Sequence, residues 1–235
     1  MAKYEDKFYQ SRHTNTHYSA NRIIDLVNDW VAPKSVIDVG CGVGTWLKVF
    51  QEKGIEKVFG VEGQWVDESN LVIEQSDFTK ADLEKPFDAK QSFDLAISLE
   101  VAEHIHKESA VQFVKNLTQH APVVLFSAAI PLQGGKHHVN EQWPIYWKEI
   151  FEKEGYVIID CVRPEVWEDD KIEMWYAQNT FIYVKKSELG KYPKLEERFV
   201  ENPKMLNAVL PRFYEFKLNR WPIMKAVKNK LKRTF

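Results

Sequence analysis

The stretch Val36-Ile-Asp-Val-Gly-Cys-Gly-Val-Gly-Thr-Trp-Leu47 constrains this chain more than any other part of it. A β-branched run ends at Asp38, and three glycines then alternate at Gly40, Gly42 and Gly44 before a helical pattern begins. Glycine permits positive φ and lets a ligand approach the backbone closely, so a strand can turn sharply beneath a bound molecule. The same turn aims the free N–H groups of the next helix at whatever sits there. Such a turn builds a pocket for a nucleotide-like cofactor.

The surrounding pattern repeats strand and helix. Ile23, Ile24, Leu26, Val27 and Trp30 recur at helical spacing over 18–31, ahead of a strand at 35–40 and a helix near 45–53. Further strands are expected at Lys57–Val61, Phe93–Leu99, 122–127, Tyr156–Asp160 and Thr180–Val184, with a weaker one at 71–74. Helices are expected from Val101–Glu103, over 108–119 and over 144–153. Alternation of this kind implies right-handed crossovers and an open, mostly parallel α/β sheet. At 235 residues, 44% of them hydrophobic, the chain can bury one sizeable core. We assign 1–185 to one domain, with 1–17 as a candidate lid; the nearby aromatics Tyr4, Phe8, Tyr9 and Tyr18 either cover the cofactor or simply pack on the core. Residues 186–235, rich in Lys, Glu and Pro, form a helical appendage with a basic tail.

The spacing of the glycines discriminates between cofactors. A dinucleotide pocket of the G-x-G-x-x-G type needs glycine at position 45, where Thr45 stands. Glu62, 20 residues after Gly42 at the end of the second strand, is placed to accept hydrogen bonds from ribose hydroxyls. The set Asp38, Gly40, Gly42, Gly44 and Glu62 resembles the class I S-adenosylmethionine-dependent methyltransferases. That resemblance implies a Rossmann-like fold, an open, mostly parallel seven-stranded sheet with helices on both faces. It implies that Asp38 and the backbone of Gly40, Cys41, Gly42 and Gly44 flank the methionine part of S-adenosylmethionine, and that Glu62 holds the ribose. Asp82 with Leu83 matches the adenine-contacting position, with Asp77-Phe78 as the rival. Glu100 is expected to touch the cofactor from the fourth strand.

A second constellation follows that strand. Glu100, Glu103 and His104 are spaced i, i+3, i+4, one face of a helix starting there. Two carboxylates and an imidazole suit a divalent ion: Mg²⁺ or Mn²⁺, with Fe²⁺ or Zn²⁺ less favoured. A fourth ligand is available in Gly134-Gly-Lys-His-His-Val-Asn-Glu-Gln-Trp143. The arrangement resembles the small-RNA 3′-end 2′-O-methyltransferases, whose E-x-x-E-H and later histidine hold Mg²⁺. The ubiquinone-type O-methyltransferases have a similar turn. The stretches His138-Val-Asn-Glu-Gln-Trp, Tyr146-Trp147 and Trp175-Tyr-Ala-Gln-Asn179 resemble a bacterial group associated with surface-polysaccharide synthesis. On that resemblance Glu100, Glu103, His104 and His138 hold the metal, His138 being preferred to His137. The competing reading has the turn cap a helix and bond the cofactor without metal, with Glu103, His137 or His138 in acid–base roles.

The remaining features bear on partners. Only Cys41 and Cys161 are present, which fits a reducing cytoplasm, and Cys41 reads as a small packing residue. Seven positive charges and no acid follow Glu215, so a net −2 leaves −9 (−2 minus 7) on the rest. That body argues against nucleic acid as a partner and for a small-molecule or glycan-precursor acceptor. Ile223, Val227 and Leu231 recur among the tail's lysines, a pattern for peripheral membrane contact or for docking on the domain. Among Trp143, Trp147, Trp167 and Trp175, Trp143 has the polar neighbours suited to stacking on a sugar. Two classes of function are open: an O-methyltransferase of glycan precursors, with an RNA 3′-terminal ribose as alternative acceptor, or a non-catalytic cofactor-binding scaffold.

Overall fold

Strands with continuous apolar runs are buried on both faces, and here they stack at the centre of one sheet. The computed structural model describes residues 2–220, with side chains from 16 to 219. In chain order the elements are α1 (Ala2–Trp30), β1 (Ser35–Val39), α2 (Thr45–Glu52), β2 (Lys57–Glu62), β3 (Phe78–Lys80), β4 (Leu95–Leu99) and α3 (Ala110–Thr118). Then follow β5 (Val123–Ser127), α4 (Pro144–Lys153), β6 (Tyr156–Ile159), α5 (Val162–Val166), α6 (Met174–Asn179), β7 (Phe181–Lys185), α7 (Pro193–Glu196) and α8 (Pro211–Arg220). The seven strands lie in the order β3-β2-β1-β4-β5-β7-β6. All neighbours pair in parallel except β7, which runs antiparallel to β5 and β6. The expected open, mostly parallel seven-stranded sheet is present.

Every residue of β1, β4 and β5 is buried. Alternate side chains divide between two cores, as a period of two requires. Val36, Leu95, Ile97, Val123 and Leu125 face Ile23, Ile24 and Val27 of α1 and Trp46, Leu47 and Phe50 of α2. Ile37, Val39, Ala96, Val124 and Phe126 face Phe113, Val114 and Leu117 of α3 and Trp147, Ile150 and Phe151 of α4. Helices therefore cover both faces. The strand order reverses between β1 and β4, the crevice where open sheets of this kind bind ligands.

Several expectations are corrected. Residues 71–74 form no strand. Val72 N–H donates to the Val43 carbonyl at 2.9 Å and Ile73 packs beneath Gly44, so this apolar segment braces the glycine turn, while Phe78 pairs with Gly60 in the sheet. No helix starts at Val101–Glu103. Glu100 takes a left-handed φ of 57°, two 3₁₀ turns follow at Ala102–His104 and Lys107–Ser109, and α3 begins only at Ala110. Asn179 ends α6, and the last strand begins at Phe181, one residue later than Thr180. The Tyr18 hydroxyl donates to Asp169 at 3.0 Å, and its ring packs on the core, the alternative to a lid role. The side chains of Tyr4, Phe8 and Tyr9 and the tail from Ile223 onward lie outside the described residues. Among those described, no helix is long and apolar enough to cross a membrane.

Candidate active site

The glycine turn leaves β1 at the sheet's switch point. Gly40 has φ of 90°, and a Cβ there would stand 2.4 Å from the Val101 side chain, so both conformation and space demand glycine. Its N–H donates to the Val61 carbonyl at 2.8 Å, tying the turn to β2. Beside it Asp38 and Glu62 are buried, 3% and 6% exposed. Burial pushes the Asp38 carboxyl well above its ordinary value, and the Glu62 charge adds to the rise. Burial also raises Glu62, offset by N–H donation from Gly63 at 2.7 Å and Gly42 at 2.8 Å. Burial drives the Cys41 thiol far upward, which fits its reading as a packing residue.

One cavity of about 1250 Å³ is lined by Asp38, Gly40, Cys41 and Gly42 and, further along, by Glu100, Glu103, His104 and His138. Its volume exceeds the roughly 300–1,000 Å³ of a single small-ligand pocket and accommodates two molecules side by side. Four carboxylates in its wall, Asp38, Glu100, Glu103 and Glu173, with Asp38 and Glu103 almost wholly buried, favour a cationic occupant. S-adenosylmethionine, with its sulfonium and ammonium, fits that charge. Gly44, Glu62, Asp82 and Leu83 lie outside the lining. Asp82 is instead paired with Lys85 at 2.9 Å, which holds its carboxyl below the usual range, and Leu83 is a core residue at 3% exposure. The structure therefore does not bring the expected adenine-contacting pair to the cavity.

Glu103, His104 and His138 each offer one ligating atom, all within 4.8 Å of one another. Glu103 is 1% exposed, its Oε2 has no hydrogen-bond partner, and burial followed by the Glu100 charge drives its carboxyl upward. Backbone holds it in place: the Glu103 carbonyl accepts from Val139 N–H at 2.9 Å and Asn140 N–H at 3.0 Å. His138 Nδ1 meets Glu141 Oε1 at 2.8 Å, while its Nε2 is 3.9 Å from Glu103 Oε1. His104 Nδ1 meets the His137 carbonyl at 3.1 Å. Each ring thus has Nδ1 engaged by an outer acceptor and Nε2 left over, the arrangement that orients imidazole for a metal. The residues fit a divalent ion of the Mn²⁺ or Zn²⁺ type better than Mg²⁺, since two of three donors are imidazoles.

Two expected site residues stand elsewhere. Glu100 lines the cavity but is not in the three-residue cluster. Its carboxylate accepts from Asn179 Nδ2 at 3.0 Å and Gln133 Nε2 at 2.6 Å, because the left-handed backbone at Glu100 breaks the helical spacing on which the joint face depended. The His137 ring is exposed and off the cavity lining; its carbonyl, not its imidazole, serves the site. The reading from sequence missed Gln133, counted Lys217 only among the cations of the basic tail, and missed Glu141 as the partner of His138. For Glu141 a signal was available in the spacing His138-x-x-Glu141. Trp147 belongs to the core at 2% exposure, whereas Trp143 and Trp175 line the cavity.

An open parallel sheet with a glycine turn and buried acids at its switch point defines a Rossmann-like, cofactor-dependent protein. A family model described as a methyltransferase domain matches residues 13–181. The chain therefore belongs to the methyltransferase-domain family and is an S-adenosylmethionine-dependent methyltransferase. Similar solved structures include a sugar N-methyltransferase from Streptoalloteichus sp. (14% identity, 77% of this chain and 92% of that one, TM-score 0.59). An amino pentose methyltransferase from Micromonospora echinaspora with S-adenosylmethionine bound aligns at 13% identity, over 76% and 96% of the two chains, with TM-score 0.54. The methyltransferase domain of bacterial CtHen1 aligns at 19% identity, over 71% and 96%, with TM-score 0.51. At these identities the likeness concerns the fold. No curated protein sequence matches.

Proposed function

We propose that this protein is a divalent-metal-assisted O-methyltransferase acting on a hydroxyl of a sugar, nucleotide-sugar or related small polar metabolite in surface-glycan biosynthesis. The observation that carries this reading is that the glycine turn with Asp38 and the Glu103–His104–His138 cluster face one cavity. S-adenosylmethionine supplies an already activated methyl group, and a metal at the cluster supplies a Lewis acid that lowers an acceptor hydroxyl's pKa. The chain's own work is positioning and exclusion of water. Asp38 and the glycine-turn backbone bind the donor's cationic end, and Glu62 stiffens that turn through Gly42 and Gly63. Glu103, His104 and His138 would hold the metal, with Glu141 and the His137 carbonyl fixing the two rings. Trp143 and Trp175 offer flat apolar walls for a sugar face.

A metal-free reading is favoured by one contact. With Nδ1 of His138 held by Glu141, Nε2 is an oriented base able to take the acceptor's proton. The likeness to sugar N-methyltransferases puts amino sugars on the acceptor panel, and CtHen1 puts an RNA 3′ end there. The test is transfer of labelled methyl to sugars, nucleotide sugars, amino sugars and small RNAs, with and without chelator. Transfer to a sugar hydroxyl, lost on chelation and restored by Mn²⁺ or Mg²⁺, is the expected result. Undiminished transfer in chelator would remove the metal and leave His138 as base. Transfer to RNA alone would overturn the glycan assignment. The location we propose is cytoplasmic or peripheral to the membrane through the basic tail, readable by vesicle flotation of the full chain against one ending at 220.

A further inference from the structure

The C-terminal helix α8 lies beyond residues 13–181, yet Phe213, Tyr214, Phe216 and Lys217 of that helix line the same cavity as the glycine turn and the cluster. Lys217 is half-buried, and its Nζ donates to the Gln133 carbonyl at 2.5 Å. Gln133 in turn bonds Glu100 and Asn179 through its side chain, so the lysine is anchored to the framework of the site. A carbonyl satisfies one of the ammonium's three donors. Neither Lys217 nor Lys136, which lines the cavity from the 134–138 loop, has a carboxylate partner among the described residues. The nearby Glu141 is committed to the N–H groups of Leu132 and Gly134 and to His138. Lys136 is exposed and Lys217 half-buried, so both ammonium groups keep donors within reach of an anionic ligand in the cavity.

The cavity thus holds both signs of charge. Its wall carries the carboxylates of Asp38, Glu100, Glu103 and Glu173 and the ammonium groups of Lys136 and Lys217, the latter pair on the 134–138 loop and α8. Resting on the methyl-transfer reading above, we infer that the acceptor carries an anionic group, a phosphate or a carboxylate, received by Lys217 with Lys136. Lysine is suited to this as a point charge with rotatable donors. An acceptor of that kind enters in one orientation only, its anionic end on the lysines and its hydroxyl toward the cluster. The appendage, not the sheet, then selects the acceptor. A neutral sugar would leave two donors of Lys217 to water and gain nothing from α8.

The test uses the full chain saturated with S-adenosylhomocysteine in chelator, so that phosphate cannot bind through a metal. Uridine diphosphate, pyrophosphate and glucuronate are titrated calorimetrically against uridine and glucose as neutral controls. We expect at least one anion to bind about tenfold or more tighter than its control, with phosphates and glucuronate distinguishing the two sources. Lys217→Ala should lose roughly tenfold to a hundredfold of that preference, the range for a hydrogen bond to a charged group. Lys217→Arg should keep most of it, and Lys136→Ala should lose less than Lys217→Ala. Equal binding of anions and controls, or an unchanged preference in Lys217→Ala, would overturn the inference. S-adenosylhomocysteine affinity, measured for every variant, reports intact folding. Failure of the parent to bind it would instead overturn the methyl-transfer reading, and the pyrophosphate and glucuronate titrations, which need no donor present, would still decide the question of the anion.

Discussion

Gly135 offers the sharpest test of the cluster, because changing it displaces a ligand's ring while replacing no ligating residue. A Cβ built on Gly135 would lie 2.0 Å from His138 Nε2, 2.5 Å from Cε1 and 2.6 Å from Cδ2. Ordinary carbon contacts begin near 3.5 Å, so Gly135→Ala forces the ring to retreat by about 1.5 Å. The backbone does not need to move, since the ring is the far end of a rotatable side chain and the loop is exposed at Gly135. The stability cost should therefore be small, within about 0.5 kcal/mol for an exposed site away from the core. The site's cost is large. A shift of that size breaks the 2.8 Å contact of Nδ1 with Glu141 and takes Nε2 out of reach of an ion shared with Glu103 and His104. Loss of outer hydrogen-bond partners alone lowers metal affinity about 10–100-fold, and displacing the ligand itself should do at least as much. The assay is Mn²⁺ titration of parent and Gly135→Ala, with S-adenosylhomocysteine affinity and thermal midpoint measured alongside. Weakened Mn²⁺ binding with the other two quantities unchanged is the expected pattern. Parent-like Mn²⁺ affinity in a folded Gly135→Ala protein would refute the assignment of His138 to the metal.

Three further perturbations probe other parts of the cavity. Glu103→Gln should reduce bound Mn²⁺ by at least about tenfold while retaining the buried side-chain volume; metal analysis of the purified protein reads it, and equal content would sink the ligand set. Gly40→Ala combines φ of 90° with a Cβ 2.4 Å from Val101, a strain on the order of 1–3 kcal/mol before repacking. A midpoint lowered by several degrees together with lost S-adenosylhomocysteine binding is expected, and a parent-like melt would contradict the geometry. Asp38→Asn should act in opposite directions on stability and binding. Burial raises the folded-state pKa of Asp38 above its unfolded value, so the ligand-free fold binds the extra proton and loses stability as pH rises through that interval. At neutral pH the Asn variant should therefore melt higher without ligand, yet bind S-adenosylhomocysteine more weakly. In the parent, affinity for the cationic ligand should fall as pH drops through the raised pKa. A lower ligand-free midpoint for Asp38→Asn would show that ionised Asp38 stabilises the fold and defeat the argument.

The parts of this molecule legible in its sequence are those whose physics is local. β1, β4 and β5 announce themselves because a strand buried on both faces is a nearly continuous apolar run, and the turn after β1 because Gly40 cannot carry a side chain against Val101. Helix α4 is readable from its Pro144 start and apolar spacing. Where tertiary contacts decide, the sequence misleads. The apolar run 71–74 looks more like a strand than Phe78–Lys80, yet its apolar side chain Ile73 is used to brace Gly44. The spacing of Glu100, Glu103 and His104 suggests one helical face. The Glu100 N–H donates to Ser127 Oγ, and Gln133 and Asn179 donate to its carboxylate; these partners, 27 to 79 positions away, hold Glu100 in a left-handed turn instead. Breaking that face separates two tasks the spacing had merged: Glu100 locks the network of amides behind the site, and Glu103 alone brings a free carboxylate oxygen to the imidazoles. Lys217 is the extreme case. Its partner Gln133 is 84 residues away, and the appendage that carries it shows no motif. Its meaning arises only where α8 meets the loop after β5, so the chemistry of transfer is written in the sheet's local patterns and the choice of acceptor in a contact that no local pattern encodes.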